Sequence, residues 1–169
     1  MSDDTLRRLI ILRHAKSSWP DSPIDDRERA LSERGRRDAP RVGARLAEAG
    51  WVPEVVLSSD ARRTHETWEL VRDELGGAPR VEWWQTLYHT GIDAFQLAVG
   101  GIESEAHTVM LIGHNPGCEE AVEWLTGQQV RITTGNAVLL EKRSASWRRA
   151  ITSRAEWHLV EVIRPREID

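Results

Sequence analysis

Apolar residues in this chain come in short unbroken runs separated by longer amphipathic stretches. Leu9-Ile10-Ile11-Leu12, Val55-Val56-Leu57 and Val109-Met110-Leu111-Ile112 are continuous and partly β-branched. Runs of this length predict strands buried on both faces, as in a sheet covered by helices on each side. Val81 to Trp83, Ala137 to Glu141 and Trp157 to Val162 predict three more strands. Between them the period lengthens. Ser32 can cap a helix running to about Ala49 and closed by Gly50, with Ala39, Val42, Leu46 and Ala49 at helical spacing. Pro40 removes a hydrogen bond inside that helix and predicts a kink or a late start. Ser58-Ser59-Asp60 ends the second strand and can cap a helix to Leu75. Ala61, Thr64, Trp68, Val71 and Leu75 form its stripe, which predicts a buried Trp68. Asp93 can cap a helix from Ala94 to about Val99. Another helix runs from about Glu119 to Thr126, ended by Gly127. Ser144 to Ser153 is polar and arginine-rich and reads as a turn. Strands and helices alternate, so the chain is expected to form an α/β sandwich with a mixed, mostly parallel central sheet. One domain is expected over residues 1–169, with residues 1–6 flexible.

Composition narrows the function. The chain carries a net charge of −4, which removes a general nucleic-acid footprint. Its eight tryptophans show no stacking pattern for bases. No apolar run approaches the roughly 18 residues of a membrane span. Met1-Ser2-Asp3-Asp4 is acidic and lacks the apolar core of a secretory signal, so a cytoplasmic protein is expected. The single cysteine, Cys118, excludes an internal disulfide framework. Charge is uneven, however. Five arginines stand between Arg27 and Arg37 against Glu28 and Glu33. Most of these suit a solvated helix face, while one or two could face an anionic substrate.

The chemistry gathers where strands end. Arg13-His14 follows the first, Arg62-Arg63 opens the helix after the second, and Gly113-His114-Asn115 follows the run at 109–112. Carboxyl ends of parallel strands open onto a common crevice in such sheets. Two imidazoles, at least two guanidiniums and a helix N-terminus would meet there. Guanidiniums grip phosphate oxygens bidentately, helix N-termini attract anions, and neutral histidine is a nucleophile. Neighbouring arginines favour the neutral imidazole.

These blocks resemble those of a known family. Leu12-Arg13-His14-Ala15 resembles the Arg-His-Gly signature of the histidine phosphatase superfamily, the phosphoglycerate mutase-like fold. Ser58 to Thr67 looks like its second block, Arg-Ala-x-Gln-Thr, which places Arg63 in the phosphate-binding role and Arg62 outside it. Gly113-His114-Asn115-Pro116-Gly117 matches the second histidine block, and the resemblance extends through Arg29 to Gly35. The short length and Arg-His-Ala-Lys-Ser-Ser-Trp opening are most similar to the SixA-type phosphohistidine phosphatases. The resemblance implies a three-layer αβα sandwich and a phosphatase working through a phosphohistidine at His14, without metal or other cofactor. It implies catalytic roles for Arg13, His14, Arg63 and His114, and substrate contacts from Arg29, Lys16 and His89. The expected partner is a phosphorylated protein bearing phosphohistidine, or a small phosphorylated substrate, met by a monomer.

One departure bears on substrate. Many members carry a glutamate acid after Leu in a Leu-x-Glu block, where this chain has Leu87-Tyr88-His89. An alkoxide leaving group needs a proton in the transition state, whereas the P–N bond of phosphohistidine is more labile. The missing glutamate therefore points toward phosphohistidine. His89 itself, Glu82 or Asp93 could replace the acid. Two other classes stay open beside a phosphatase, a phospho-binding module without turnover and a metal hydrolase. The second is disfavoured, because no His-x-His or His-Glu-x-x-His spacing occurs.

Overall fold

The computed structural model describes residues 4–88 and 91–168. Its centre is one six-stranded sheet made of β1 (Thr5–Arg13), β2 (Val55–Ser59), β3 (Arg80–Trp84), β4 (Thr108–Gly113), β5 (Ala137–Ser144) and β6 (His158–Ile163). The strand order is β3-β2-β4-β1-β5-β6. Pairs β1–β4, β2–β4 and β2–β3 are parallel, while β1–β5 and β5–β6 are antiparallel. The expected mixed, mostly parallel sheet is the sheet observed.

Alternation along β1 separates the two cores. Leu9 and Ile11 point toward α3 (Ile92–Gly100), α4 (Gly117–Thr126) and α5 (Trp147–Ala150). Ile10 and Leu12 point toward α1 (Glu33–Glu48) and α2 (Arg62–Leu75). All four are fully or almost fully buried, which is why the run carries no polar residue.

Several local expectations are met and several are moved. Ser32 caps α1, its hydroxyl accepting from Gly35 N–H at 3.2 Å. The helix runs on through Pro40. The Ala61–Leu75 stripe is buried throughout, Trp68 included. β1 starts at Thr5, so Thr5 and Leu6 belong to the sheet and not to a flexible N-terminus. The cause is β5, whose Ser144 and Arg143 pair with them. Ser58 and Ser59 are strand residues, and α2 begins after Ala61 with no side-chain cap. Asp93 lies inside the first turn of α3, after Gly91 as cap. The stretch 144–153 contains α5, because Trp147 is fully buried and pulls the segment onto the sheet. No helix among the described residues is long and apolar enough to cross a membrane.

Candidate active site

The register of the sheet builds the site. Arg13 lies opposite Gly113, and Ser58 opposite Ile112, so β1, β4 and β2 end at one level. His14, His114 and the start of α2 therefore meet at the carboxyl edge, as the crevice argument expected. His14 and His114 are each 6% exposed. Their ring centroids are 5.1 Å apart and the rings are tilted by 57°.

Hydrogen bonds assign the nitrogens. His14 Nδ1 is 2.7 Å from the Ala15 carbonyl oxygen. A carbonyl only accepts, so Nδ1 carries the proton and Nε2 carries the lone pair. Arg63 Nε donates to that Nε2 at 3.4 Å. Arg63 Nη2 lies 3.4 Å from His114 Nδ1. A guanidinium only donates, so this nitrogen accepts and His114 Nε2–H donates to Ser59 Oγ at 2.8 Å. Arg63 thus stands between the two imidazoles, 5% exposed. Burial lowers the His14 pKa to about 3, helped by the neighbouring His114 ring and the positive fields of Arg63 and Arg13 and opposed by its bond to Ala15. His14 is neutral across the physiological range.

The backbone after His14 is pinned from two sides. Ala15 N–H donates to Thr67 Oγ1 at 3.0 Å, and that hydroxyl donates to the Arg63 carbonyl at 2.7 Å. Gly135 N–H donates to the carbonyls of Arg13 and His14. Gly135 has φ of +79°, a conformation that favours glycine. Arg13 donates from Nη1 to the Ile132 carbonyl at 3.0 Å, while its buried Nε has no partner. Asn115 Nδ2 reaches the same carbonyl at 2.8 Å, and the Asn115–Pro116 peptide is cis. Asn115 shapes the turn that carries His114.

Arg29 and Arg63 share a carboxylate. Asp26 Oδ2 accepts from Arg63 Nη2 at 3.1 Å and from the Tyr88 hydroxyl, and Oδ1 accepts from Arg29 Nε at 2.9 Å. The Asp26 carbonyl accepts from Arg63 Nη1 at 2.8 Å. Arg29 also reaches Ser17 Oγ at 2.9 Å and stacks on Trp19. The Tyr88 hydroxyl, with Arg29 and Arg63, holds the Asp26 carboxyl down at about 2. It is an anion, not a proton donor. Arg62 turns outward to Glu66, as the alignment of blocks implied.

The other predicted residues divide. Lys16 lines a cleft beside Arg13, and its carbonyl accepts from Ser32. Glu82 is bonded to Arg80 and Trp84 on β3. Asp93 lines a cavity with Arg148 and Leu97. Neither is among the groups bonded at the centre. His89 lies outside the described residues. Burial pushes the Cys118 thiol up to about 12, so no thiolate competes as nucleophile. Among the described residues no three His, Cys, Asp or Glu side chains are grouped to hold a metal ion.

Asp26, Tyr88, Ser59 and Thr67 complete the site and were not singled out in the sequence. Ser59 and Thr67 lie within the block that supplied Arg63. Tyr88 is adjacent to His89. Asp26 carries no local signal, because it sits in a polar loop among other charges.

Residues 9–91 match the family model of the histidine phosphatase superfamily, branch 1. An uncharacterized chloroplastic protein of Arabidopsis thaliana is 36% identical over 170 residues, covering 94% of this chain and 78% of that one. An uncharacterized Mycobacterium leprae protein is 32% identical over 119 residues, covering 69% and 71%. The chain belongs to the histidine phosphatase superfamily. Phosphatase chemistry is the activity class that this membership brings. Solved structures carry the same fold. A structure assigned as phosphohistidine phosphatase SixA from Nakamurella multipartitia has a TM-score of 0.83 at 23% identity, covering 95% of this chain and 97% of that one. One assigned as SixA from Agrobacterium tumefaciens has 0.81 at 23%, covering 94% and 98%. A SixA complexed with tungstate has 0.81 at 19%, covering 96% and 99%. At these identities the likeness is one of fold, the phosphoglycerate mutase-like sandwich.

Proposed function

We propose that this histidine phosphatase hydrolyses phosphohistidine on a protein, in the manner of a SixA-type enzyme, through a covalent phosphoryl group on His14. The observation that carries the reading is the nitrogen assignment at His14. Nε2 holds a lone pair, is kept neutral, and faces a guanidinium that also touches the second histidine. In the first step Nε2 attacks phosphorus, the bond to the leaving nitrogen breaks, and that nitrogen takes its electron pair. In the second step water attacks the phosphoryl group on His14, and Nε2 leaves with its lone pair restored. Arg63 and Arg13 neutralise the equatorial oxygens as charge spreads over them. His114 helps once Arg63 turns to the phosphoryl group. Ser59 can then donate to Nε2, and the Nδ1–H tautomer of His114 can donate to a phosphoryl oxygen.

The leaving group favours phosphohistidine over a sugar phosphate. Asp26, the carboxylate bonded to Arg63, is ionised and supplies no proton. An alkoxide would depart unassisted by it, while the P–N bond needs less help. The test is a comparison of a phosphohistidine peptide with a sugar phosphate, with the labelled intermediate trapped. The peptide should turn over faster, and acid-labile, alkali-stable phosphate should map to His14. His14→Ala should lose on the order of 10⁴-fold or more in kcat with its unfolding transition intact. A sugar-phosphate preference, or full activity in His14→Ala, would end the proposal.

A further inference from the structure

A cleft of about 440 Å³ adjoins the nucleophile on the side of α1 and the C-terminal segment. Its walls carry Arg13 from the end of β1, Lys16 just beyond His14, Arg34 from α1, and Arg131, Arg164 and Arg166. Asp38 and Glu167 are its acids. Asp38 lies 3.8 Å from Arg34 and 4.0 Å from Arg41. Arg164 is engaged by the Asn136 amide oxygen. Lys16, Arg131 and Arg166 form no ion pair among the described residues. The buried Nε atoms of Arg13 and Arg34 have no hydrogen-bond partner. The lining thus bears a formal excess of four positive charges within a chain whose net charge is −4.

This concentration of cations is joined to the reacting centre by the backbone. Arg13 and Lys16 flank His14-Ala15, and Gly135, which holds the 131–136 loop, donates to the carbonyls of Arg13 and His14. Walls of low dielectric focus such a field, so the cleft attracts an anion although the chain as a whole is acidic. The phosphoryl group needs Arg63, Arg13 and the two histidines. The five other cations are surplus to it.

We infer that the cleft is a second anion subsite, taking carboxylate side chains that flank the phosphohistidine of the protein partner. This rests on the proposed phosphohistidine activity and names the partner's chemistry, an acidic segment around the modified histidine. Like charges elsewhere on the two surfaces would then leave one productive orientation.

The test uses the full-length protein and two phosphohistidine peptides of equal length, one flanked by Asp and Glu, the other by Asn and Gln. The acidic peptide should show about tenfold higher kcat/KM at low salt, mostly through KM, and the ratio should shrink as salt rises. Arg131→Glu with Arg166→Glu should bring the ratio to about one or below. Turnover of phosphoramidate, which has no flanking groups, reports that the reacting centre of that variant is intact. Equal kcat/KM for the two peptides in the unaltered protein, or an unchanged ratio in the charge-reversed one, overturns the subsite and leaves the phosphohistidine reading standing. Turnover of phosphoramidate with neither peptide hydrolysed overturns both.

Discussion

His14 donates from Nδ1 to a carbonyl, so the nitrogen that keeps the lone pair is fixed, and burial fixes the charge. Burial has a cost that pH exposes. The unfolded chain protonates this histidine near 6.5, whereas the folded chain holds it neutral down to about 3. Between those values the unfolded state binds a proton that the folded state refuses, so stability falls as pH falls, by up to about 1.4 kcal/mol per unit from this group. His14→Gln should flatten that dependence. Urea denaturation of both proteins from pH 7 to 4 checks it, and parallel curves would contradict the assignment. Asp26 gives a second prediction. Its carboxylate sits on Arg63 and Arg29, where an incoming phosphoryl dianion must meet it. Asp26→Asn keeps a hydrogen-bonding side chain and removes the repulsion, so inorganic phosphate should bind roughly three- to tenfold tighter, about 1 kcal/mol. Calorimetric titration measures it. Weaker binding would mean that Asp26 orients Arg63 rather than competing for it.

The elements place these residues by close approach. The N-terminus of α1 packs on the backbone just after His14, where the Lys16 carbonyl accepts from both Ser32 N–H and Ser32 Oγ. A Cβ on Gly35 would lie 2.2 Å from that carbonyl oxygen. The oxygen is backbone and cannot swing away. Gly35→Ala should therefore push the Lys16 segment outward, cost about 1–3 kcal/mol, and lower kcat/KM by roughly tenfold or more through the displaced His14. Gly101→Ala is the comparison, since a Cβ there meets only ordinary contacts at 3.6 and 3.9 Å. Equal effects of the two substitutions on kcat/KM would show that the α1 contact does not position the site. On the other side, α2 contributes Arg63 in its first turn and Thr67 one turn later, so one helix supplies the guanidinium that stands between the two imidazoles and the hydroxyl that fixes Ala15.

Across the whole molecule the two ends of the sheet have separate duties. Thr5 pairs with Ser144 at the end opposite the site. There Trp147 is fully buried, donates to the Ala106 carbonyl at 2.7 Å and stacks on Trp157. Arg7 gives its guanidinium to the carbonyls of Ser104, Ala106, Ser144 and Ala145. Trp147→Ala should cost roughly 3–5 kcal/mol and leave kcat/KM of the folded protein within about twofold. Thermal unfolding and a rate measured well below the transition check both halves, and a large fall in rate would couple the two ends. The sequence by itself determined the strand cores, the α/β class, the placing of Arg13, His14 and His114 at strand ends and that of Arg63 in the first turn of the helix after the second strand. Those features follow from local rules, because a run buried on both faces excludes polar residues until the sheet edge. It also marked Gly50 and Gly127 as helix ends, whose positive φ asks for glycine. It did not reveal α5, because one buried tryptophan in an arginine-rich stretch has no period. Nor did it reveal Asp26, which meets Arg63 across 37 positions, or the Nε2 lone pair of His14. Partners distant in sequence become neighbours only when β4 is set between β1 and β2 and the loops close over the sheet edge. The tertiary structure alone decided which nitrogen of His14 keeps its lone pair, which carboxylate holds Arg63, and which surplus arginines share a cleft.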